Sequence, residues 1–268
     1  MIWVCLAACV AMIGCSWYAG PIPQMLYGHD LIFMLDSGWK WNLGIMPHHD
    51  YCSIVGVVSC FLIALGLKLG GSFATALPIA VCVFGAGILP LCIYATFTRL
   101  PPLLALVSSV SLLATALAPN CLRCKGEEIT YAMVYNRWGY CLFLIALFLI
   151  AFRSLDKAAW KEAVDGLIAG SLTVLSIFTK ISYGGLLVAA FLGFAILVRR
   201  KPAYFISVLA SAILFLGLVG WPISWDFSAF LHDIRLLGHA HAGLGLHGLI
   251  VAYMYLSPHV CLFLMLIH

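Results

Sequence analysis

Apolar residues in this chain fall in long continuous runs, and polar residues are confined to the segments between them. The runs are Ile2–Tyr18, Ile54–Leu69, Ser72–Thr98, Leu103–Ala118, Tyr140–Phe152, Leu167–Phe178, Ser182–Val198, Ala203–Ile223 and Leu246–Ile267. Uninterrupted runs of this kind predict membrane-crossing helices; the short alternating segments of a β-barrel are not seen. The pattern therefore predicts an all-α fold, a polytopic transmembrane helical bundle of about 8–10 spans forming a single domain. Gly70-Gly71 and Pro101-Pro102 punctuate it, and Pro90 interrupts the run from Ser72. Nothing basic precedes Ile2–Tyr18, so it reads as an uncleaved first helix and not a signal peptide.

Composition sharpens the class. Hydrophobic residues make up 64% of the chain and charged residues 9%, and the mean hydropathy is +1.09. A soluble domain needs far more charge to cover its surface. The net charge of +4 is no sign of nucleic acid, because the basic residues sit in short clusters beside apolar runs, as topology signals do. Of eleven cysteines, Cys5, Cys9, Cys15, Cys60, Cys82, Cys92, Cys141 and Cys261 lie in or beside apolar runs and read as small hydrophobes. Cys121 and Cys124 form a lone CxxC, a weak signal for zinc or redox chemistry.

The outstanding polar stretch is His29–Ser53, with Asp30, Asp36, Asp50, His29, His48 and His49. Placed between two apolar runs, it reads as an outer loop and the working surface. A second outer loop runs from Trp225 to Gly245, with Asp226, His232, Asp233, Arg235, His239 and His241. Arg153, Lys157 and Lys161, and then Arg199, Arg200 and Lys201, belong on the cytoplasmic side, which leaves Lys180 at an outer turn. One conflict arises. Counting every run as a crossing puts the Arg153–Lys161 cluster outside, so either the Ser72–Ala118 region, the expected place, makes one crossing more or fewer, or a short span is re-entrant.

The opening loop carries a resemblance. It reads His29-Asp30, then Asn42-Leu43-Gly44-Ile45-Met46-Pro47-His48-His49-Asp50-Tyr51, then Ser53 and Gly56. Further on stand Gly166-Leu167-Ile168-Ala169-Gly170 and Thr179-Lys180, an aromatic-rich stretch from Phe227 to Gly245, and Tyr131–Tyr140 with Asn136-Arg137. Together these resemble the GT-C class of membrane glycosyltransferases, which includes the protein O-mannosyltransferases and the aminoarabinose transferases of lipid A. The chain resembles the N-terminal module of that class without its remaining helices. The resemblance implies transfer of a sugar from a polyprenyl-phosphate donor, with inversion, on the outer face of a bacterial inner membrane. Its partners are then a lipid-linked sugar donor and membrane lipids, with no nucleic acid and no required cofactor.

On that reading Asp30 is the catalytic base and Asp50 a second acid/base group. Lys180, Arg235 and Arg137 bind the donor phosphate, and His48, His49 and His232 contact substrate. The plain alternatives are that Asp30 caps the helix after it, Asp50 opens the turn into the next helix, and Lys180 snorkels. A divalent metal at His48-His49-Asp50 requires help from Asp30 or His29, since neighbouring side chains on an extended segment diverge. His239, His241 and His247 give a weaker metal pattern, and Trp39, Trp41, Trp221 and Trp225 read as interfacial anchors. A transporter or lipid flippase is the rival reading, and it calls for ionisable residues inside the spans; His259 is the clear interior case. A non-catalytic membrane fragment is the third.

Overall fold

A computed structural model describes residues 1–20, 27–119, 130–156, 158–198 and 200–240. Its helices are α1 (Ile2–Ala19), α2 (Gly28–Asn42), α3 (Val57–Gly70), α4 (Phe73–Phe97), α5 (Pro102–Leu117), α6 (Val134–Ala151), α7 (Ala159–Thr179), α8 (Ile181–Leu197), α9 (Pro202–Gly220) and α10 (Phe227–Ala240). No strand occurs among the described residues, so the all-α helical bundle holds. Among the described residues five helices are long and apolar enough to cross a membrane: α1, α4, α6, α7 from Trp160, and α9. On α9, Ile206, Leu209, Ile213 and Leu214 are all more than half exposed, a face suited to lipid. Met1–Asp226 forms one compact unit and Phe227–His268 another, of which α10 is described. The expected last span Leu246–Ile267, with His241, His247 and His259, lies outside the described residues, as do Cys121 and Cys124.

Helix boundaries follow local chemistry. Ser72 caps α4 by accepting the Thr75 amide at 3.3 Å, and Pro102 and Pro202 occupy first-turn positions where no amide hydrogen bond is forfeited. Gly71 ends α3 with φ of 66°, a left-handed conformation that glycine takes without penalty. The Gly166–Gly170 spacing has a packing cause. A Cβ on Gly166 would stand 2.3 Å from the Tyr204 carbonyl, and one on Gly170 would stand 2.2 Å from Ser211 Oγ. The two glycines let α7 and α9 approach backbone to backbone, as small residues do between membrane helices.

Ion pairs fix the direction of the bundle. Arg99, just past α4, reaches Asp165 near the start of α7 at 2.5 Å. Arg200, just before α9, approaches Glu162 and Asp165 at 3.4 Å each, and Arg153 beyond α6 lies 3.3 Å from Glu162. Tyr94 donates to Asp165 at 2.9 Å. The end of α4, the end of α6, the start of α7 and the start of α9 therefore meet at one basic end, the cytoplasmic end by the positive-inside rule. Three guanidinium groups face two carboxylates here. The surplus is answered by the C-terminal carbonyls of α6: Arg200 donates to Leu149 and Phe152 at 2.5 Å each, and Arg99 to Phe152 at 3.0 Å.

The topology conflict resolves at α3, not in the Ser72–Ala118 region. With α4 and α7 antiparallel, the start of α4 and the end of α7 share the outer end. Gly56, ahead of α3, fits so closely on the end of α7 that a Cβ would stand 2.1 Å from the Phe178 carbonyl. The last turns of α3 pack on the first turns of α4: Gly66 meets Ala76, and Gly70 meets Thr75 and Ile79. Both ends of α3 thus lie at the outer end. Its 14 residues extend about 21 Å, short of the ~30 Å hydrocarbon core. The run Ile54–Leu69 is therefore not a crossing, and Ser72–Ala118 makes two, as counted. A second correction concerns α7, which starts at Ala159, so Glu162 and Asp165 belong to the helix and not to the loop before Leu167.

Candidate functional site

The loop after α1 folds into a platform on the outer end. Gly38 of α2 fits against Ile63 and Ala64 of α3, where a Cβ would come within 2.7 Å of the Ile63 side chain. Asn42 Nδ2 donates to the Ala64 carbonyl at 3.0 Å. Gly44, with φ of 81°, reverses the chain. Asp50 then closes the turn: its Oδ2 accepts the Met46 amide at 2.6 Å while its own amide donates to the Met46 carbonyl at 2.9 Å. Tyr51 lies under Lys40, whose Nζ is 4.7 Å from the ring centroid and which pairs with Asp36 at 2.6 Å. Ser53 Oγ donates to the Val55 carbonyl at 2.9 Å, and Gly56 docks on α7. The short motif that looked like chemistry is in large part a folding motif.

Asp50 and its histidines behave accordingly. The Met46 amide, with the His49 ring 2.8 Å from Oδ1, holds the Asp50 carboxyl below the usual carboxylate range. A depressed pKa favours the turn and weakens a base. The segment is not extended: His48 has φ of 65° and is buried, whereas His49 is exposed and faces Asp50. Among the described residues no group of three His, Cys, Asp or Glu side chains can hold a metal ion.

Asp30 is differently placed. It sits in the first turn of α2, where a negative charge suits the helix dipole, but it is not the cap; Tyr27 precedes the helix in a left-handed conformation, with no side-chain cap bond. Asp30 Oδ1 lies 3.2 Å from His29 Nε2, and its side chain is only 16% exposed. Its Oδ2 is buried without a hydrogen-bond partner.

Tyr135 meets the predicted phosphate ligand. Lys180 Nζ stands 5.4 Å from the Tyr135 ring centroid and donates to Asn136 Oδ1. Lys180 follows α7 in extended conformation, and burial lowers its pKa below the lysine value of 10.5. Tyr135, Asn136 and Lys180 thus come together at the outer end, drawn from α6 and the α7–α8 turn. Arg137, next to Asn136 on α6, is half-buried. Arg235 and His232 are exposed and share a face of α10, three residues apart. Trp39, Trp221 and Trp225 are about half exposed or more, whereas Trp41 packs edge-on against Phe61 at 5.7 Å.

Tyr135 and the buried set of Arg99, Glu162, Asp165 and Arg200 were not singled out from sequence. Tyr135 sits one turn ahead of the apolar run Tyr140–Phe152 and gives no pattern of its own. Glu162 and Asp165 did carry a signal: three residues apart, they lie on one face of the helix that continues into Gly166–Gly170. No protein-family model, curated protein or solved structure matches this chain.

Proposed function

We propose that this chain is a membrane glycosyltransferase of the GT-C kind, acting on the outer, periplasmic face of a bacterial inner membrane. The donor is a sugar on a polyprenyl phosphate, whose tail stays in the bilayer while its phosphate reaches the interface. The acceptor hydroxyl attacks the anomeric carbon as the bond to the phosphate oxygen breaks, and the configuration inverts. Asp30 takes the hydroxyl proton, and the leaving phosphate receives the positive charge of Lys180. The observations that support this reading are the buried, unpartnered Oδ2 of Asp30 and the Lys180 ammonium held against Tyr135 and Asn136. One oxygen of the base is left without a donor, and the cation is held by a neutral amide and not by a carboxylate. In this reading Asp50, His48 and His49 shape the platform.

A lipid flippase is the second reading, favoured by the ionisable cluster of Glu162, Asp165, Arg99 and Arg200. Every one of those charges is paired at the basic end, which suits a lock better than a path. One experiment separates the two. Reconstituted vesicles are assayed for sugar transfer and for movement of labelled donor between leaflets, comparing wild type with Asp30→Asn. The expected result is a loss of transfer by about 10²–10⁴-fold with unchanged abundance. Undiminished transfer removes Asp30 from the mechanism, and leaflet exchange by both proteins without any transfer supports the flippase.

A further inference from the structure

A cavity of about 430 Å³ opens at the outer end between the last turn of α2 and the turn joining α3 to α4. Trp39, Asn42, Leu67, Lys68, Gly71, Ser72 and Phe73 form its walls. It is distinct from the Asp30–Lys180 group, none of whose residues line it. Three features of the wall point to one ligand chemistry. Lys68 is exposed and has no ion pair among the described residues, so its charge is uncommitted. Asn42 has committed its Nδ2 to the Ala64 carbonyl, which leaves the amide oxygen as an acceptor for a hydroxyl or ammonium group. Trp39 and Phe73 are 48% and 54% exposed, a large aromatic surface facing neither core nor partner helix.

Position narrows the ligand further. Because α3 does not cross, Lys68 and Phe73 lie at the outer membrane–water boundary, where Trp and Lys side chains meet headgroups. A cation for a phosphate, an acceptor for a hydroxyl and aromatic walls for glycerol and upper acyl carbons match the parts of a phospholipid. We propose that this cavity binds an outer-leaflet phospholipid with a hydroxyl-bearing headgroup, its phosphodiester on Lys68 and its headgroup hydroxyl on Asn42. Gly71 leaves the entrance open: it has φ of 66°, and a Cβ there would meet nothing within 4 Å.

The test is titration of the full chain in detergent with phosphatidylglycerol, diacylglycerol and inorganic phosphate, read by native mass spectrometry. Wild type is expected to bind phosphatidylglycerol saturably and diacylglycerol far more weakly. Lys68→Glu is expected to weaken phosphatidylglycerol binding about tenfold or more, and Lys68→Arg to restore it. Lys180→Ala is expected to leave this binding unchanged, which keeps the outcome independent of the donor site. Equal binding by Lys68→Glu, or equal binding of diacylglycerol, overturns the proposal. Competition by inorganic phosphate as strong as by the lipid assigns the cavity to a soluble phosphate and overturns the lipid assignment.

Discussion

Asp30 and Asp50, two carboxylates of one loop, are held in opposite ways. Asp50 spends its oxygens on the Met46 amide and the His49 ring, whereas Asp30 keeps Oδ2 buried without a donor. An unsatisfied buried acceptor costs about 1–3 kcal/mol, and more when charged. Sequence alone could not rank the two, because both are loop aspartates beside histidine; the hydrogen bonds that separate them depend on how the chain turns at Gly44. Lys180 was legible as a lone cation at an outer turn, but its Asn136 partner came from a helix 44 residues away. Its depressed pKa has a consequence. On the proposed function, donor binding is full while the ammonium is charged and is lost as pH rises through a pKa below 10.5. Lys180→Arg should flatten that loss, since guanidinium stays charged throughout. Donor titrations across pH 7–11, compared with a free-lysine midpoint of about 10.4, check the sign. A decline at or above the free-lysine midpoint contradicts it.

At the scale of elements, glycines decide which helices meet. The Gly166–Gly170 spacing was legible as a feature of the sequence, and its use is the close contact of α7 with Tyr204, Val208 and Ser211 on α9. Gly56 was legible only as part of a motif, while its use is to seat α3 on the end of α7. Gly56→Ala drives a methyl group to 2.1 Å from the Phe178 carbonyl. Backbone must shift to admit it, at a cost of about 1–3 kcal/mol. Thermal unfolding in detergent should show the loss, and tryptophan fluorescence should show a loosened platform around Trp39 and Trp41. Unchanged stability would mean that α3 does not dock there. The apolar run at Ile54–Leu69 reads as a crossing because burial under α2 and α4 demands the same hydrophobicity as lipid does. Composition does not separate those two solvents; the neighbours of each end do.

Across the whole molecule, charge sorts the two ends. Arg99, Arg153 and Arg200 with Glu162 and Asp165 tie α4, α6, α7 and α9 at the cytoplasmic end. The basic clusters mark this end in the sequence, while their carboxylate partners stayed hidden because the run was read from Leu167 and α7 starts at Ala159. Asp165 is 1% exposed and answers two arginines that are buried as well. Asp165→Asn leaves Arg99 without a counter-charge and Arg200 with Glu162 alone, and breaking a buried pair in this way costs about 3–5 kcal/mol. The expected outcome is a large fall in thermal stability without loss of donor binding in the fraction that stays folded. A variant as stable as wild type contradicts the lock.

The proposed transfer requires a donor site at the outer end, built on Lys180 beside an independent base, Asp30. Binding of a polyprenyl phosphate to the purified chain in nanodiscs is the deciding measurement. Saturable binding that weakens about tenfold or more in Lys180→Ala and persists in Asp30→Asn is the predicted result. Absence of binding by well-folded wild type, or binding indifferent to Lys180→Ala, contradicts the claim.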